Sequence, residues 1–356
     1  MLSVGIVGLP NVGKSTLFKA LTKKQVDIQN FPFCTIEPNV GVVEVPDNRL
    51  QRLAEVSRSA KIVPAAIEFV DIAGLVEGAN KGEGLGNQFL SNIREADAIV
   101  QVVRAFEDQN IAHVAGQPDP KRDGEIVSLE LILKDLDTLN KHLFKVEKEA
   151  KRGDKEARIE LALVQKILVL LEAGQPAKNV SLEEKEKSIF DQLNLLSAKP
   201  VLYLINNSSD KNNFSYPSEF SPALEIDIKL ENELSELSPE EAREMRLALP
   251  HPKNSLDELI SSCYSLLELE TFFTSGEPES RAWTIPKGAK APQAAGKIHS
   301  DFEKGFIRAE VVFWERLVEA GSWAGAREKG WARLEGKDYV VKDGDVIIFK
   351  FAPVSH

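Results

Sequence analysis

Cysteine is nearly missing from this sequence: its 356 residues hold only Cys34 and Cys263. Two thiols exclude a disulfide framework and a four-cysteine zinc site. Long apolar runs are missing as well. The densest, Ile167 to Leu171, is five residues long, against the roughly 20 that a membrane-spanning helix needs. No internal repeat and no low-complexity tract is present. Gly (22) and Pro (18) are near average, which excludes a collagen-like or broadly disordered chain. The opening LSVGIVG has no basic flank and runs into a glycine-rich loop. It reads as a first strand, not a signal peptide, and the cytoplasm is the expected location. An excess of positive charge is also absent: the net charge of −11 argues against a protein that coats nucleic acid.

What remains is an ordinary globular composition, 43% hydrophobic and 28% charged, long enough for two or three domains. Residues 1–120 alternate apolar runs with helical patterns. VGIVG, VGVVEV, AIEFVDI and AIVQVV read as strands and Ser15–Leu21 as a helix, the α/β pattern of a mostly parallel sheet. The texture then changes. Ile132, Leu136, Leu139, Leu143, Val146 and Ala150 form a heptad seam, broken at Gly153. Leu161, Val164, Leu168 and Leu171 form a second seam that stops at Gly174. Two seamed helices joined by a glycine turn predict an antiparallel hairpin, although two ordinary amphipathic helices against a core fit the spacing equally well. A further helix near Leu182–Leu196 returns the chain to KPVLYLIN, another buried strand, so the helical block is inserted into the α/β domain. From about Leu269 onward, short strands and glycine turns suggest a small β-rich module.

Charge is uneven along the chain. Residues 201–270 carry a net −9, whereas residues 281–308 carry +4 from Arg281, Lys287, Lys290, Lys297, Lys304 and Arg308 against Asp301 and Glu303. Such a local basic face can touch phosphates on an otherwise acidic protein, because distant charge is screened beyond roughly 8 Å. Trp283 and Phe306 lie within it as candidates for packing or stacking.

The strongest chemical signal is Gly8-Leu9-Pro10-Asn11-Val12-Gly13-Lys14-Ser15-Thr16, a G-x-x-x-x-G-K-[ST] loop between a strand and a helix. Phosphate needs many N–H donors, and glycines let the backbone wrap closely enough to supply them. Asn11, Val12, Gly13, Lys14, Ser15 and Thr16 are therefore the candidate phosphate contacts. Lys14 is placed to reach the β- and γ-phosphates as a catalytic cation, and Ser15 to ligate Mg²⁺. Asp71, in Val70-Asp71-Ile72-Ala73-Gly74, ends another apolar strand. It is placed to hold Mg²⁺ through water, and Gly74 to offer its N–H to a γ-phosphate. Between the two motifs, Thr35 is the candidate second hydroxyl on the metal.

The loop after Asp71 reads GLVEGANKGEGLGNQFL; FPFCTIEPN precedes it, and RAWTIPKGAKAPQAAGKIHSDFEKGFIRAEV stands near the end. With these motifs the chain resembles the Obg family of P-loop NTPases, and specifically the YchF type of Obg-like ATPase, over nearly all its length. The resemblance implies an α/β fold: a P-loop NTPase domain over 1–268, interrupted by a helical coiled-coil-like hairpin at 123–198, and a C-terminal β-grasp (TGS) domain over 269–353. It also implies ribosome binding, to 50S or 70S particles, and hydrolysis of ATP in preference to GTP, with Mg²⁺ as cofactor. The basic 281–308 stretch is then the candidate contact to ribosomal RNA. No membrane role is expected.

GTPases of this class read guanine with N-K-x-D. Here the strand runs into Asn206-Asn207-Ser208-Ser209-Asp210. Asn206 fits the first position and Asn207 replaces Lys; both are candidate nucleotide contacts. Ser209 stands where the carboxylate belongs, and also where the YchF family usually has Glu. A serine cannot reproduce the paired contact to guanine, so guanine selectivity should collapse, with Asp210 next to it as a possible substitute. Hydrolysis also needs a positioned water. Leu75 follows the D-x-x-G motif where Ras-like enzymes have Gln. His113 is a candidate catalytic residue in its place, equally readable as an ordinary surface or core histidine. Asn11 is a candidate for placing K⁺ beside the phosphates. Two other readings compete with the ATPase: a GTPase ribosome-assembly factor, and a nucleotide-gated scaffold in which hydrolysis is incidental.

Overall fold

The computed structural model describes residues 2–24, 39–72, 93–108, 117–207, 216–249 and 254–353. Its strands are β1 (Ser3–Val7), β2 (Val40–Glu44), β3 (Ile62–Val63), β4 (Ala66–Asp71), β5 (Ala98–Ala105), β6 (Val201–Asn207), β7 (Ala223–Ile226), β8 (Leu269–Ser275), β9 (Ser280–Pro286), β10 (Phe306–Phe313), β11 (Arg333–Glu335) and β12 (Asp345–Phe351). The helices of the first part are α1 (Lys14–Thr22), α2 (Asn48–Ser57), α3 (Pro120–Lys151), α4 (Lys155–Glu172) and α5 (Glu184–Leu193). Those that follow are α6 (Ile228–Leu234), α7 (Pro239–Leu247), α8 (Ser255–Leu266), α9 (Ala291–Ile298), α10 (Ser300–Lys304), α11 (Trp314–Ala320) and α12 (Trp323–Glu328).

The first sheet runs β2-β4-β1-β5-β6-β7. β1 pairs in parallel with β4 and β5, β5 with β6, and β6 with β7; only β2 is antiparallel, against β4. β1 and β5 are buried along their whole length, which is why they read as unbroken apolar runs and not as alternating ones. Successive connections leave β1 toward opposite sides of the sheet, β4 on one and β5 on the other. The loop after β1 therefore opens at the switch point, where ligands bind in such sheets.

The helical block is an antiparallel pair. Ile132 and Leu139 of α3 pack with Leu163, Val164, Ile167, Leu168 and Leu171 of α4. The buried face of α4 is wider than the expected seam: Leu163 and Ile167 are fully buried, while Leu161 stays half-exposed. α3 also starts earlier than the seam implied, at Pro120 behind the Asp119 cap. Its first turns belong to the sheet. Gln101 on β5 donates to the Gly124 carbonyl at 2.8 Å, and a Cβ on Gly124 would meet the Phe220 ring at 2.2 Å. The block is tied back by Asp135, whose carboxylate is 1% exposed and accepts from Leu196 N (2.9 Å), Ser197 N (2.7 Å) and Ser197 Oγ (2.6 Å). Burial raises the Asp135 pKa, and these three donors oppose that shift.

The second sheet runs β11-β10-β12-β8-β9-β3. β8 and β9 form a hairpin, β12 lies parallel to β8, and β10 is antiparallel to β12; α9 packs its Ala291, Ala294 and Ala295 across the sheet onto Phe272, Ile285 and Phe349. That is the order of a β-grasp. Its sixth strand comes from elsewhere in the chain. β3 lies between α2 and β4, and it pairs in parallel with β9 (Ile62↔Ser280, Val63↔Arg281). Ser59 Oγ adds bonds to Gly276 O (2.7 Å) and Ser280 Oγ (2.8 Å), and the Arg49 guanidinium bridges Asp47 and Asp343. One apolar core consequently runs from Ile6 and Leu53 through to Phe273, Val312 and Val346.

Candidate functional site

β1 ends at Val7, and the chain turns sharply through residues 8–13 before α1. Two glycines make this possible. A Cβ on Gly8 would lie 2.6 Å from the Val102 carbonyl oxygen, so only glycine lets the loop pass against β5. Gly13 has φ +106°, and a Cβ there would lie 2.7 Å from Asn206 Nδ2. Asn11 is also left-handed (φ 61°), a conformation that asparagine tolerates better than most residues. Gly13 is the N-cap of α1 and supplies no side-chain cap, and the first turn holds no acidic residue. Its backbone N–H groups and the positive end of the helix are thus left for an anion.

Lys14 folds back over this loop. Its ammonium donates to Gly8 O at 3.0 Å and Leu9 O at 2.7 Å, and the residue is 7% exposed. Burial pushes its pKa down to about 8, opposed by the charge of Asp71. A cation desolvated in this way gains when phosphate arrives. The parallel register Ile6↔Asp71 sets Asp71 beside the end of β1, and the Ser15 hydroxyl bonds its carboxylate. Burial raises the Asp71 pKa, with the Ser15 bond and Lys14 acting the other way. A hydroxyl and a carboxylate in contact are hard oxygen donors, the chemistry Mg²⁺ prefers. The donor set fits that ion, and Ser15 and Thr16 both face solvent. Among the described residues no group of three or more His, Cys, Asp or Glu side chains could hold a metal by itself.

Asn206 occupies a position that its motif did not reveal. It is 6% exposed; Nδ2 donates to Val12 O at 2.9 Å and Oδ1 accepts from Ile228 N at 3.2 Å. One amide thereby clamps the loop after β1 to the N-terminus of α6, which Asp227 caps through Leu230 N. The neighbouring Asn207 has an Oδ1 atom that is buried and has no hydrogen-bond partner among the described residues. Thr35, Gly74, Leu75, His113, Ser209, Asp210 and Cys34, with the glycine-rich loop after Asp71, lie outside the described residues. Cys263 is buried, and burial pushes its thiol pKa up.

The basic 281–308 stretch does not form a uniform face. Lys287, Lys297, Lys304 and Arg308 are exposed, but Lys290 is paired with Asp338 at 2.9 Å. Phe306, a candidate for packing or stacking, is 5% exposed and lies in the core with Ala309 and Val311, because the register shifts between Phe306 and Arg308 and turns it to their face of β10. Trp283 is half-buried, stacked on Phe272 and covered by the Arg281 guanidinium at 4.3 Å.

A mostly parallel sheet with this loop, lysine and strand-end aspartate defines a P-loop nucleotide-binding protein. Comparisons narrow the class. Residues 3–129 match the family model described as 50S ribosome-binding GTPase, and residues 269–352 match the C-terminal YchF model, described as a protein of unknown function (DUF933). The chain is 51% identical over 362 residues to the ribosome-binding ATPase YchF of Bacillus subtilis (strain 168), with 98% of this chain and 99% of the relative covered. It is 50% identical over 356 residues to the protein of that name from Escherichia coli O157:H7, with 98% of each covered. The solved structure of the Schizosaccharomyces pombe YchF GTPase superimposes with a TM-score of 0.86 at 41% identity, covering 98% of this chain and 97% of that one. The chain belongs to the YchF family.

The clamp yields a direct expectation. Asn206→Ala removes both anchors of the loop, and ATP affinity measured by calorimetry should fall about tenfold, two lost bonds at about 0.7 kcal/mol each. Unchanged affinity would show that the loop holds its shape without Asn206.

Proposed function

We propose that this chain is an Mg²⁺-dependent ATPase that binds the ribosome and acts as a translation-associated nucleotide switch. The observation that carries the enzymatic part is the Ser15–Asp71 contact beside a buried Lys14, at the mouth of an uncapped helix. Lys14 neutralises the β- and γ-phosphates. The backbone from Asn11 to Thr16, with Gly74, donates to phosphate oxygens. Ser15, Thr35 and Asp71 hold Mg²⁺, which when bound neutralises phosphate charge. Asn206 positions the loop, and Asn207 offers an unpaired amide oxygen near the base. Asn11 places K⁺, and His113 orients the attacking water, since Leu75 can do neither. In this reading 1–268 is the nucleotide-binding domain, 123–198 its inserted hairpin and 269–353 a TGS domain. Its location is the cytoplasm; among the described residues no helix is long and apolar enough to cross a membrane.

ATP is favoured over GTP because Asn207 and Ser209 replace the lysine and aspartate that read guanine. In a competition with Mg²⁺ present, ATP should displace a labelled nucleotide at least tenfold more effectively than GTP. Ser209→Asp with Asn207→Lys should narrow that gap. Equal or better binding of GTP by the unmodified chain would favour the GTPase reading, the activity for which the S. pombe relative is named.

Ribosome binding is the name-giving property of the bacterial relatives. An acidic chain must meet a polyanion through a local face, and the exposed Lys287, Lys297, Lys304 and Arg308 supply one. Co-sedimentation with 50S or 70S particles should weaken steeply between 50 and 200 mM salt, as counterions released from phosphates are no longer a gain. Binding that ignores salt would reject the phosphate contact.

A further inference from the structure

The C-terminal module carries a second recess, away from the P-loop. It has a volume of about 550 Å³, and its walls include Phe313, Arg316, Trp331, Arg333, Lys342 and Asp345. The two aromatic walls are set by the backbone. Phe313 ends β10 and is 38% exposed. Its ring lies against the turn before β12, where a Cβ on Gly344 would sit 2.8 Å from Phe313 Cε2. That glycine has φ +90°, so a side chain there would be strained as well as crowded. Trp331 is half-buried, and its backbone N–H donates to Ala326 O at 2.9 Å.

The recess is cationic. The Arg316 guanidinium lies 4.7 Å and the Lys329 ammonium 4.5 Å from the Trp331 ring centroid. Among the described residues neither of these, nor Lys342, has a carboxylate partner within ion-pair distance. Arg333 is shared with the Tyr339 hydroxyl at 3.3 Å and Glu335 at 3.7 Å. The carboxylate in the lining is turned inward: Asp345 is 1% exposed, and its Oδ2 accepts from the Tyr339 hydroxyl at 2.7 Å and from Lys342 N at 2.9 Å. Exposed arginine and lysine heads beside a flat, exposed ring are the combination that takes an aromatic base together with its phosphate. A base inside a duplex keeps its faces stacked and cannot offer them.

We propose that this recess binds one unstacked nucleotide of single-stranded RNA, its base against Phe313 and Arg316 and its phosphate at Lys342 and Arg333. The site deepens the ribosome reading by naming a kind of RNA and a second face for it, and rests on that reading only for where the RNA comes from. The test therefore uses no ribosome.

A fluorescein-labelled single-stranded oligouridylate of about ten nucleotides is titrated with the full chain and followed by anisotropy. Arg316→Glu with Lys342→Glu should weaken binding at least tenfold. It should also lower the log–log salt slope by about 0.7, for the one phosphate contact, at Lys342, that it removes from a single strand. Phe313→Ala should remove most of the preference for the single strand over a duplex of the same length. ATP affinity should not change in any of these variants, since all the altered side chains are exposed and remote from Lys14. The control is Lys337→Glu with Lys350→Glu, the same charge change on exposed positions outside the recess. Equal weakening by the control would reduce the effect to bulk charge and overturn the site. So would unaltered binding in the recess variant, or tighter binding of the duplex. Displacement of the oligomer by UMP at the same nucleotide concentration would assign the recess to a free nucleotide and overturn the RNA proposal.

Discussion

The constraint on which the rest depends is the parallel pairing of β1 between β4 and β5. It brings the C-terminal ends of three strands to one edge, so that the loop after Val7, the carboxylate of Asp71 and the end of β5 meet there. The loop can turn back over that edge only because Gly8 passes the Val102 carbonyl without a side chain and Gly13 adopts a left-handed conformation. Once it has turned, Lys14 is drawn into a desolvated position over its own backbone carbonyls. The Asn206 amide then locks the loop to the next strand and helix. In the proposed function this arrangement is prepared for phosphate before any ligand arrives, because the helix end is uncapped and the ammonium already desolvated.

The same edge is mechanically connected to the C-terminal module. β3 leaves the segment between β2 and β4 and pairs with β9 of the second sheet, and the hydroxyls of Ser57, Ser59, Ser275 and Ser280 join the two in one hydrogen-bonded cluster. β4, which carries Asp71, begins three residues after β3 ends. A continuous apolar core under this junction makes the two sheets one packed unit. β4 and β9 are therefore joined through β3 by backbone hydrogen bonds and not through a flexible linker.

How much of this was legible in the sequence depended on the range of the signal. The P-loop reads directly because its glycines, lysine and serine are contiguous; β1, β5 and β6 read as apolar runs because both sheet faces are covered, and β4 reads as a partly alternating strand. The hairpin was visible as heptads, but Leu163 and Ile167 were not, since α4 packs on a wider face than a two-position seam. β3 escaped notice because two residues, Ile62 and Val63, carry no period; only pairing with a strand more than 200 residues away makes them a strand. Phe306 sits in a charged stretch, and its inward direction depends on the register shift between Phe306 and Arg308, which no period of two predicts. Asn206 looked like a base contact, and its grip on Val12 and Ile228 became evident only in three dimensions.

The central claim is that the edge formed by β1 and β4 is a nucleotide-hydrolysing centre in which Lys14 faces phosphate. The most direct test is phosphate release from ATP in the presence of Mg²⁺ by the full chain and by Lys14→Ala, with circular dichroism to confirm that both are folded. Turnover at least a hundredfold lower in the folded variant, roughly 2.7 kcal/mol of lost transition-state stabilisation, is the result expected for an ammonium on the transferred phosphoryl group. Turnover equal to that of the unmodified chain would contradict the claim and leave Lys14 a structural residue that only ties its own loop together.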